Sequence, residues 1–367
     1  MKKKLLYVIN HLRSGAVPNI LLDITPFIKE NFQVSVLALQ EINYDDNIVD
    51  KFKNQSIKVE SLSLKRNDIV KGYYQLRRYL LIHKPDLIHS HLGRADFLSA
   101  ICKPHESKLI TTFHSVKSNY NPLTRLGYFF TDKYVYTRTA VSNAVRDSWY
   151  KSNKLKNKIR TIYNPIDVDK FTEIKPNSSL KRELGVSEKD FIILNVGNLR
   201  KQKGQIYLVK ALNIVLKKYK NVKLIIVGRK GDAEEDIINE INKLNLNNNV
   251  ILLGFRNDIP DLLKNSDLFV FPSLTEGLGI AVLEAMAARI PVIASDIDAI
   301  NEYVTDGVNG LLVKYNDINT IAKKIEFLLE NNNFKEELSS SAFNKVMELF
   351  DSETIAKQYI ELYNELI

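Results

Sequence analysis

The sequence predicts an α/β protein made of two Rossmann-like lobes that face each other across a central cleft. Its 367 residues exceed what a single hydrophobic core usually fills, so two domains are expected. Both halves alternate short apolar runs with segments of helical periodicity, and a polar stretch separates them. This alternation is typical of parallel sheets covered by helices on both faces, whose ligands bind at the carboxyl ends of the strands.

Residues 1–170 form the first predicted lobe. Its apolar runs predict the strands Leu5–Ile9, Val34–Leu39, Leu87–His89, Leu109–Phe113, Tyr134–Val141 and Ile159–Tyr163. Between them, apolar residues at helical spacing predict helices that include Ile20–Ile28 and Leu76–Ile82. The mostly polar residues 171–188, which include Pro176, Ser178 and Ser179, predict a linker.

Residues 189–351 repeat this rhythm as the second predicted lobe. The expected strands are Phe191–Val196, Lys223–Val227, Val250–Leu253, Leu268–Phe271, Val292–Ala294 and Gly310–Val313. The expected helices are Gln205–Tyr219, Glu234–Asn245, Ile259–Lys264, Ala281–Ala288 and Ile318–Glu330. A final helix over residues 352–367 is predicted to have Ser352 as its N-cap and Glu353 in its first turn.

Composition limits the class of protein. The residues are 45% apolar and 26% charged, as in globular proteins. The lone Cys102 excludes an intramolecular disulfide and a cysteine zinc site, and it indicates a reducing compartment. The lysines at positions 2–4 precede only a short apolar stretch, Leu5–Ile9, which is too short for a secretory or membrane span. We therefore expect a cytoplasmic protein.

Charge is divided unevenly along the chain. Residues 1–170 hold 28 Lys and Arg against 15 Asp and Glu, a net charge of +13, whereas the remainder carries −4. A basic half suits nucleic acid, an anionic membrane surface or a phosphate-bearing substrate, and charge alone does not choose among them. The aromatic and basic residues that favour a membrane surface slightly over a solvated face are Tyr128, Phe129, Phe130, Trp149, Tyr150, Lys151, Lys154, Lys156, Lys158 and Arg160.

The most informative segment runs from Phe269 to Met286. An apolar strand leads to Pro272, a turn carries Gly277 and Gly279, and a helix is expected from about Ile280. The glycines let backbone N–H groups approach a ligand closely, and a helix N-terminus offers unpaired donors to an anion. This segment therefore predicts a site for a diphosphate.

Glu276 and Glu284 lie on either side of this helix start. Their spacing allows both carboxylates to face one elongated ligand with alcohol groups, for which carboxylates are strong acceptors. In the alternative interpretation, Glu276 complements the helix dipole and Glu284 is a solvated helical residue. The apolar neighbours Leu283, Ala285 and Met286 disfavour solvation of Glu284.

A cationic loop follows the first strand of the second lobe, in residues 195–204. Its cationic and amide side chains lie beside a helix start, where they can neutralise a diphosphate whose charge rises as it departs. We expect Lys203 to act on the ligand, whereas Lys201 is better explained as part of an ordinary solvated loop.

These segments resemble glycosyltransferase family 4, whose members have the GT-B fold. Residues 276–284 resemble the family's motif of two glutamates separated by seven residues, and residues 197–204 resemble its Gly-Arg-Leu and Lys-Gly loop. Further likenesses lie at residues 84–91, 112–114, 141–143 and 164–167. The resemblance implies two Rossmann-like domains around the cleft, with the C-terminal helix crossing back to the first domain. It also implies a retaining transfer of a sugar from a nucleoside diphosphate, a UDP-sugar ahead of a GDP-sugar.

The resemblance assigns roles to single residues of the second lobe. It implies that Glu276 binds hydroxyls of the transferred sugar, that Glu284 binds the ribose and that Lys203 holds the diphosphate. Backbone N–H groups of Leu278 and Gly279 are implied to assist Lys203.

Three other positions complete the expected site. His114, just past a first-lobe strand, is implied to reach the sugar or its acceptor, and a structural histidine is the alternative. Asn198 stands where the family commonly has Arg, so the second cation is either Arg200 or absent. The first loop has Gly15 and Val17 where the family commonly reads Gly-Gly-Ala-Glu, and Gly15 still allows close approach to phosphate.

We predict no metal site. The Asp-x-Asp pairs at residues 167–169 and 296–298 have a spacing that often arises by chance, and the resemblance implies that cationic side chains replace the metal. His89 and His91 share one face of a strand without an obvious third ligand.

The sequence thus predicts a hexosyltransferase with a saccharide or lipid-linked saccharide acceptor, in bacterial surface-polysaccharide assembly and at the inner face of the cytoplasmic membrane. The leaving phosphate oxygen is expected to take the proton of the acceptor while Lys203 and Arg200 stabilise its charge. A GT-B sugar-nucleotide epimerase is the first alternative, and a basic nucleic-acid-binding protein is more remote because aromatic-studded recognition motifs are missing. An NAD-dependent oxidoreductase is disfavoured because no Gly-x-Gly-x-x-Gly follows a strand.

Overall fold

The structure is a computed structural model that describes residues 2–13, 15–42, 47–65, 67–149, 159–174 and 178–367. It divides into a first unit, Met1–Pro165 with Phe350–Ile367, and a second unit, Ile166–Leu349. The expected linker, residues 171–188, falls inside the second unit. Although this segment is mostly polar in sequence, the side chains of Phe171, Leu180 and Val186 are buried.

Within the described residues, the sheet of the first unit has seven strands, and all its neighbouring strands are parallel. They are β1 (Lys3–Ile9), β2 (Phe32–Ala38), β3 (Lys58–Ser61), β4 (Leu87–His91), β5 (Lys108–Phe113), β6 (Thr137–Ala140) and β7 (Ile159–Thr161). Their order is β3-β2-β1-β4-β5-β6-β7. Strand order reverses between β1 and β4, so a crevice is expected at the carboxyl ends of these two strands.

The sheet of the second unit has six parallel strands among the described residues. They are β8 (Phe191–Val196), β9 (Val222–Val227), β10 (Val250–Gly254), β11 (Leu268–Phe271), β12 (Val292–Ser295) and β13 (Leu311–Val313). Their order is β10-β9-β8-β11-β12-β13, so the reversal lies between β8 and β11. The two parallel sheets confirm the predicted fold class.

Helices cover both sheets. The first unit, up to Pro165, has α1 (Ala16–Ile28), α2 (Ile48–Asn54), α3 (Ile69–His83), α4 (Gly93–Cys102), α5 (Pro122–Thr131) and α6 (Asn143–Trp149). The second unit has α7 (Asp169–Thr172), α8 (Ser178–Glu183), α9 (Gln205–Lys218), α10 (Glu234–Lys243), α11 (Ile259–Lys264), α12 (Ile280–Ala287), α13 (Asp298–Asn301), α14 (Ile318–Glu330) and α15 (Asn332–Leu349). Each helix in the described ranges is too short or too polar to span a bilayer.

The last helix, α16 (Ser352–Asn364), returns to the first unit and packs on α1. The hydroxyl of its Tyr363 lies 2.7 Å from Nδ1 of His89 and 3.1 Å from the hydroxyl of Tyr7. All three side chains are fully buried, so each polar atom depends on these bonds. The predicted N-cap Ser352 is wrong: Asp351 is the N-cap, and its carboxylate accepts from two backbone N–H groups of the first turn.

The hydroxyl of Tyr363 should contribute measurably to the stability of the first unit. We expect Tyr363→Phe to lower the free energy of unfolding by about 1–3 kcal/mol, because it leaves a buried imidazole nitrogen without its partner. Fluorescence of Trp149, the single and buried tryptophan, reports unfolding of this unit in urea. Tyr74→Phe, at a side chain that is 68% exposed, is the control and should change stability by less than about 0.5 kcal/mol. Equal effects of the two substitutions would contradict the proposed role of the hydroxyl.

Candidate active site

The loops that follow β8 and β11 form the core of the candidate site in the second unit. These neighbouring strands flank the point at which strand order reverses, where ligands of open parallel sheets bind. The loop after β8 contains a 3₁₀ helix, Lys201–Lys203, and leads into α9. The loop after β11 passes from Pro272 to Gly279 and leads into α12.

An ion pair joins the two loops. Nζ of Lys203 lies 2.6 Å from Oε1 of Glu276, and the hydroxyl of Ser273 donates to the same oxygen at 2.5 Å. The side chains of Lys203 and Glu276 are only 22% and 11% exposed. Nζ also lies 5.0 Å from the centre of the Phe271 ring, a favourable position for a cation. The pair is thus held in one geometry before any ligand arrives.

Hydrogen bonds to the backbone also connect the loops that follow β8 and β11. The side-chain amide of Gln202 donates to the carbonyl oxygen of Thr275 at 2.5 Å, and the N–H of Leu274 donates to the carbonyl oxygen of Gln202 at 2.8 Å. Beneath them, the amide of Asn195 donates to the carbonyl oxygen of Val270 at 2.7 Å. Lys203 therefore stands on a segment that is fixed to the neighbouring strand.

Gly204 makes this close approach possible. Its φ is +67°, and a Cβ atom there would clash with the carbonyl oxygen of Pro272. The backbone therefore passes against the end of β11 at a position that only glycine accommodates.

The start of α12 carries the predicted backbone donors. Gly279 is its N-cap with φ +85°, and a Cβ atom there would lie 2.6 Å from Cδ1 of Ile300. The hydroxyl of Tyr303 donates to the carbonyl oxygen of Leu278 at 2.9 Å. This hydrogen bond fixes the turn, and the first amides of the helix remain available to a ligand. Glu284 lies in the second turn of α12 and is partly buried.

The other cationic and amide residues of the β8 loop have different surroundings. Oδ1 of Asn198 accepts from the backbone N–H of Arg229 at 3.1 Å, so this side chain braces the loop after β9. Arg200 is exposed. Nζ of Lys201 pairs with Asp236 at 3.3 Å on the surface, in agreement with the expected solvated position.

His114 lies just after β5, where it contacts the end of β4. Its Nε2 and Nδ1 of His91 are 2.9 Å apart, within hydrogen-bond distance. Burial lowers the pKa of His114 to about 4 and that of His89 to about 3, and it lowers the pKa of His91 well below the usual range. These imidazoles are therefore neutral at pH 7, and His114 is suited to hydrogen bonding.

His89 is committed to the fold. Its Nε2 lies 2.7 Å from the hydroxyl of Thr112, while its Nδ1 contacts Tyr363. Gly15, the N-cap of α1, lies in the loop after β1 at the same edge of the sheet. Its φ of 165° is accessible to any residue and a Cβ atom would meet only ordinary contacts, so the fold itself does not require glycine there.

The Asp-x-Asp pairs have local partners. Asp167 pairs with Lys170 at 3.0 Å, and Oδ1 of Asp296 accepts from the amide of Asn301 at 2.7 Å. Among the described residues, His, Cys, Asp and Glu do not gather into a group of three that could hold a metal ion.

Comparisons with known proteins agree with this fold. The family model for glycosyl transferases group 1 matches residues 177–345, and that for Glycosyltransferase Family 4 matches residues 27–170. An uncharacterized glycosyltransferase, MJ1607 of Methanocaldococcus jannaschii, is 30% identical over 77% of this chain and 76% of its own length. The chain belongs to glycosyltransferase family 4.

Other relatives extend the likeness over nearly the whole chain. The UDP-Gal:alpha-D-GlcNAc-diphosphoundecaprenol alpha-1,3-galactosyltransferase of Escherichia coli is 27% identical over 92% of this chain and 90% of its own length. The chain spans 60 to 90% of the first curated relatives that it matches. The crystal structure of Anabaena Alr3699/HepE in complex with UDP and glucose covers 99% of both chains, with a TM-score of 0.85 and 23% identity. This likeness shows the GT-B fold.

Several residues that build the site were not predicted from the sequence. Ser273, Gln202 and Tyr303 hold the two loops, and Asn195 joins their strands. Asn195, Gln202 and Ser273 bond to partners 71 to 75 residues away. Tyr303 bonds to Leu278, 25 residues away. Sequence spacing does not reveal such partners.

Two glycines with the same backbone conformation test the close approach of the loops. Gly204 and Gly254 both have φ of +67°, but a Cβ atom at Gly254 meets nothing within 4 Å. Alanine at either position pays about 1–2 kcal/mol for the left-handed conformation, and the clash with Pro272 should add about 1–3 kcal/mol at Gly204. We expect Gly204→Ala to lower the Tm further than Gly254→Ala by about 2–4 °C per kcal/mol in calorimetry. Equal Tm values would show that the loops separate at little cost.

The neutral imidazoles predict a loss of stability in acid. Between pH 6.5 and 4 the unfolded chain binds a proton at position 114 that the folded protein does not, so stability is lost as pH falls. We expect His114→Asn to reduce the slope of unfolding free energy with pH, averaged between pH 6.5 and 5, by about 1 kcal/mol per unit. Asp96, whose pKa burial raises to about 6, acts in the opposite sense but is common to both proteins.

The pH experiment uses urea unfolding followed by Trp149 fluorescence at several pH values. His105→Asn, at an exposed position, is the control and should leave the slope of the wild type unchanged. A His114→Asn slope equal to that of the wild type would mean that His114 already takes up a proton in the folded state.

Proposed function

We propose that this glycosyltransferase moves a hexose from a nucleoside diphosphate to a lipid-linked saccharide in bacterial surface-polysaccharide assembly. A UDP-sugar is the preferred donor, ahead of a GDP-sugar. The observation that carries the donor side is Lys203, held by Glu276 beside the start of α12. Anabaena Alr3699/HepE, similar in fold, binds UDP and glucose. The Escherichia coli relative acts on a diphosphoundecaprenol-linked sugar, which supports the acceptor class and the transferase over the epimerase.

The diphosphate is placed against Lys203 and the first amides of α12. In the free protein Lys203 balances one carboxylate, and a diphosphate brings further negative charge to the same cation. Preorganised donors stabilise a leaving group most as its charge grows. The amides of Leu278 and Gly279, with Arg200 at the exposed rim, add positive potential without a change in protonation.

The two glutamates are assigned to the two ends of the donor. Glu276 lies in the turn before α12 and Glu284 in its second turn, so we assign them to either side of the proposed diphosphate. We assign hydroxyls of the transferred sugar to Glu276 and the ribose to Glu284, since ionised carboxylates accept strong hydrogen bonds from alcohols. His114 is assigned to the sugar or the acceptor, as a neutral hydrogen-bonding group.

The proposed transfer retains the anomeric configuration and needs no metal ion. The leaving phosphate oxygen takes the proton of the acceptor hydroxyl as the new glycosidic bond forms on the same face of the sugar. Lys203 provides the charge that a metal provides in other nucleotide-sugar enzymes. The cation and the helix start that the β8 and β11 loops bring together support this role of Lys203.

We propose that the first unit meets its lipid-linked acceptor at the surface of the cytoplasmic membrane. On α5, Phe129 and Phe130 are 72% and 61% exposed, and Leu123 and Leu126 are exposed on the same helix. Exposed apolar groups on a basic half of the chain suit an anionic bilayer. The predicted cluster from Tyr150 to Lys158 lies outside the described residues, so the proposal rests on α5.

Donor binding should depend on Lys203 and Glu284. We expect UDP-sugars at about 100 times their Kd to stabilise the wild type by about 2.7 kcal/mol, or several degrees in a thermal-shift panel of UDP- and GDP-sugars. Lys203→Ala and Glu284→Ala should lose most of this shift. Because transfer is proposed to be metal-independent, EDTA should leave the shift intact.

Lys201→Ala is the matched control, since this lysine lies two residues away and pairs with Asp236 on the surface. It should keep the shift of the wild type. The Tm of each variant without ligand separates loss of binding from loss of folding. The proposal fails if no nucleotide sugar stabilises the wild type, or if Lys201→Ala and Lys203→Ala lose the shift equally.

A further inference from the structure

A cavity of about 520 Å³ lies in the first unit, between α3, α4 and α5. Its apolar wall includes Ile69, Phe97, Leu126 and Phe130. Its volume is in the range of cavities that bind small ligands. No residue of this cavity belongs to the site described above.

Arg94, on α4, also lines this cavity. Its Nη2 donates to the backbone carbonyl of Asp68 at 3.1 Å, while the carboxylate of Asp68 accepts from the N–H of Lys65. Nε and Nη1 are covered from solvent and have no hydrogen-bond partner among the described residues. The Arg94 side chain is only partly buried, so the cavity combines apolar walls with a cation to which an anion can bind.

The cavity reaches the edge of the sheet where acceptors are expected. Asn10 and Gly93, which line it, follow β1 and β4, the strands at which strand order reverses. Between them, the amide of Asn10 donates to the carbonyl oxygen of Leu92 at 3.4 Å. Leu92 has φ of +78°, an uncommon conformation for a non-glycine residue that is characteristic of functional sites.

The wall formed by α5 is firmly placed. The hydroxyl of Tyr128 donates to Oδ2 of Asp96 on α4 at 2.6 Å, and the hydroxyl of Ser90 donates to the other oxygen at 2.8 Å. These bonds hold α5 against α4 although its outer face is apolar and exposed. The exposed Phe130 lies at the mouth of the cavity and Phe129 lies beside it without lining it.

We propose that this cavity binds the lipid half of the acceptor, an isoprenoid diphosphate, with the chain against α5 and the anionic group at Arg94. The assignment rests on the proposed function, because it names the part of the acceptor that carries the saccharide. Charge complementarity selects this occupant: a neutral lipid offers no anion to the guanidinium, and a free phosphate leaves the apolar wall uncovered. The exposed aromatic residues place the mouth where a chain can enter from a bilayer.

Calorimetric titration of the full chain with geranylgeranyl diphosphate, below its micellar concentration, tests the proposal without any sugar donor. We expect this probe to bind at least tenfold more tightly than geranylgeraniol, which lacks the anion, and than inorganic diphosphate, which lacks the chain. Arg94→Gln should weaken binding at least tenfold, and Arg125→Gln should not. The matched Arg125 lies on α5 and donates to the carbonyl oxygen of Tyr120 at 2.6 Å, outside the cavity lining.

A second pair of variants separates the cavity from simple adsorption to lipid. Phe130→Ser should weaken binding of the probe, and Phe129→Ser should leave it unchanged. Equal losses would indicate adsorption through the surface of α5 and would overturn the proposal, as would equal affinities of the probe and inorganic diphosphate. Trp149 fluorescence verifies folding of each variant, and Arg94→Lys, which keeps the charge, should recover part of the affinity.

One further variant tests whether the probe binds in the second unit instead of in the cavity. Lys203→Ala, which removes the proposed diphosphate contact there, should bind geranylgeranyl diphosphate as the wild type does. If that variant abolishes binding, the probe occupies the donor site and the cavity assignment is wrong. If the probe fails to bind the cavity but nucleotide sugars still raise the Tm, the cavity assignment is wrong and the proposed function is unaffected. If the probe binds the cavity but no nucleotide sugar raises the Tm, the proposed function is wrong and lipid binding by the cavity remains supported.

Discussion

The ion pair between Lys203 and Glu276 is the contact on which the second unit's site depends. A parallel sheet whose strand order reverses leaves a crevice between two strands, because the loops that follow them lead to helices on opposite faces. Here the crevice lies between β8 and β11. The pair, with Ser273 and Gln202, ties the two loops across it. A half-buried cation is thereby kept in place at the start of α12, and its counter-charge is supplied by a residue that also faces the crevice.

In the first unit, neutral side chains occupy the corresponding point of strand reversal. At its reversal between β1 and β4, Asn10 bonds to the backbone after β4, and His91 lies next to His114. Burial keeps the pKa of these histidines below the physiological range, so no fixed charge is placed there by the imidazoles. The C-terminal helix completes this arrangement by bringing Tyr363 to His89. The point of strand reversal is therefore built around an ion pair in the second unit and around neutral hydrogen bonds in the first.

Both parallel sheets could be predicted from the sequence because strands such as β1 and β11 contain continuous apolar runs that are buried on both faces. The elements that were missed lack such a signal. The edge strand β3, Lys58–Ser61, has one apolar residue, and α15 is an 18-residue helix that buries only Leu338, Ala342 and Val346. Within the site, glycines and charged residues marked the loops, but neither Asn198's bond to Arg229 nor the cavity at Arg94 could be predicted. Both depend on segments that meet only through the fold.

Asn198 replaces a cation that is common in the family, so the site has fewer positive charges near the start of α12. Where an arginine is common, this chain has an amide whose oxygen is engaged by the backbone of Arg229, so the position has acquired a bracing contact. The nearest other cations in the loop are exposed or paired with surface carboxylates. In the proposed function, Lys203 and the backbone amides of α12 are therefore assigned most of the electrostatic stabilisation of a departing diphosphate. A site with one half-buried cation depends strongly on geometry, and the glycine contacts and cross-loop hydrogen bonds around Lys203 provide that geometry.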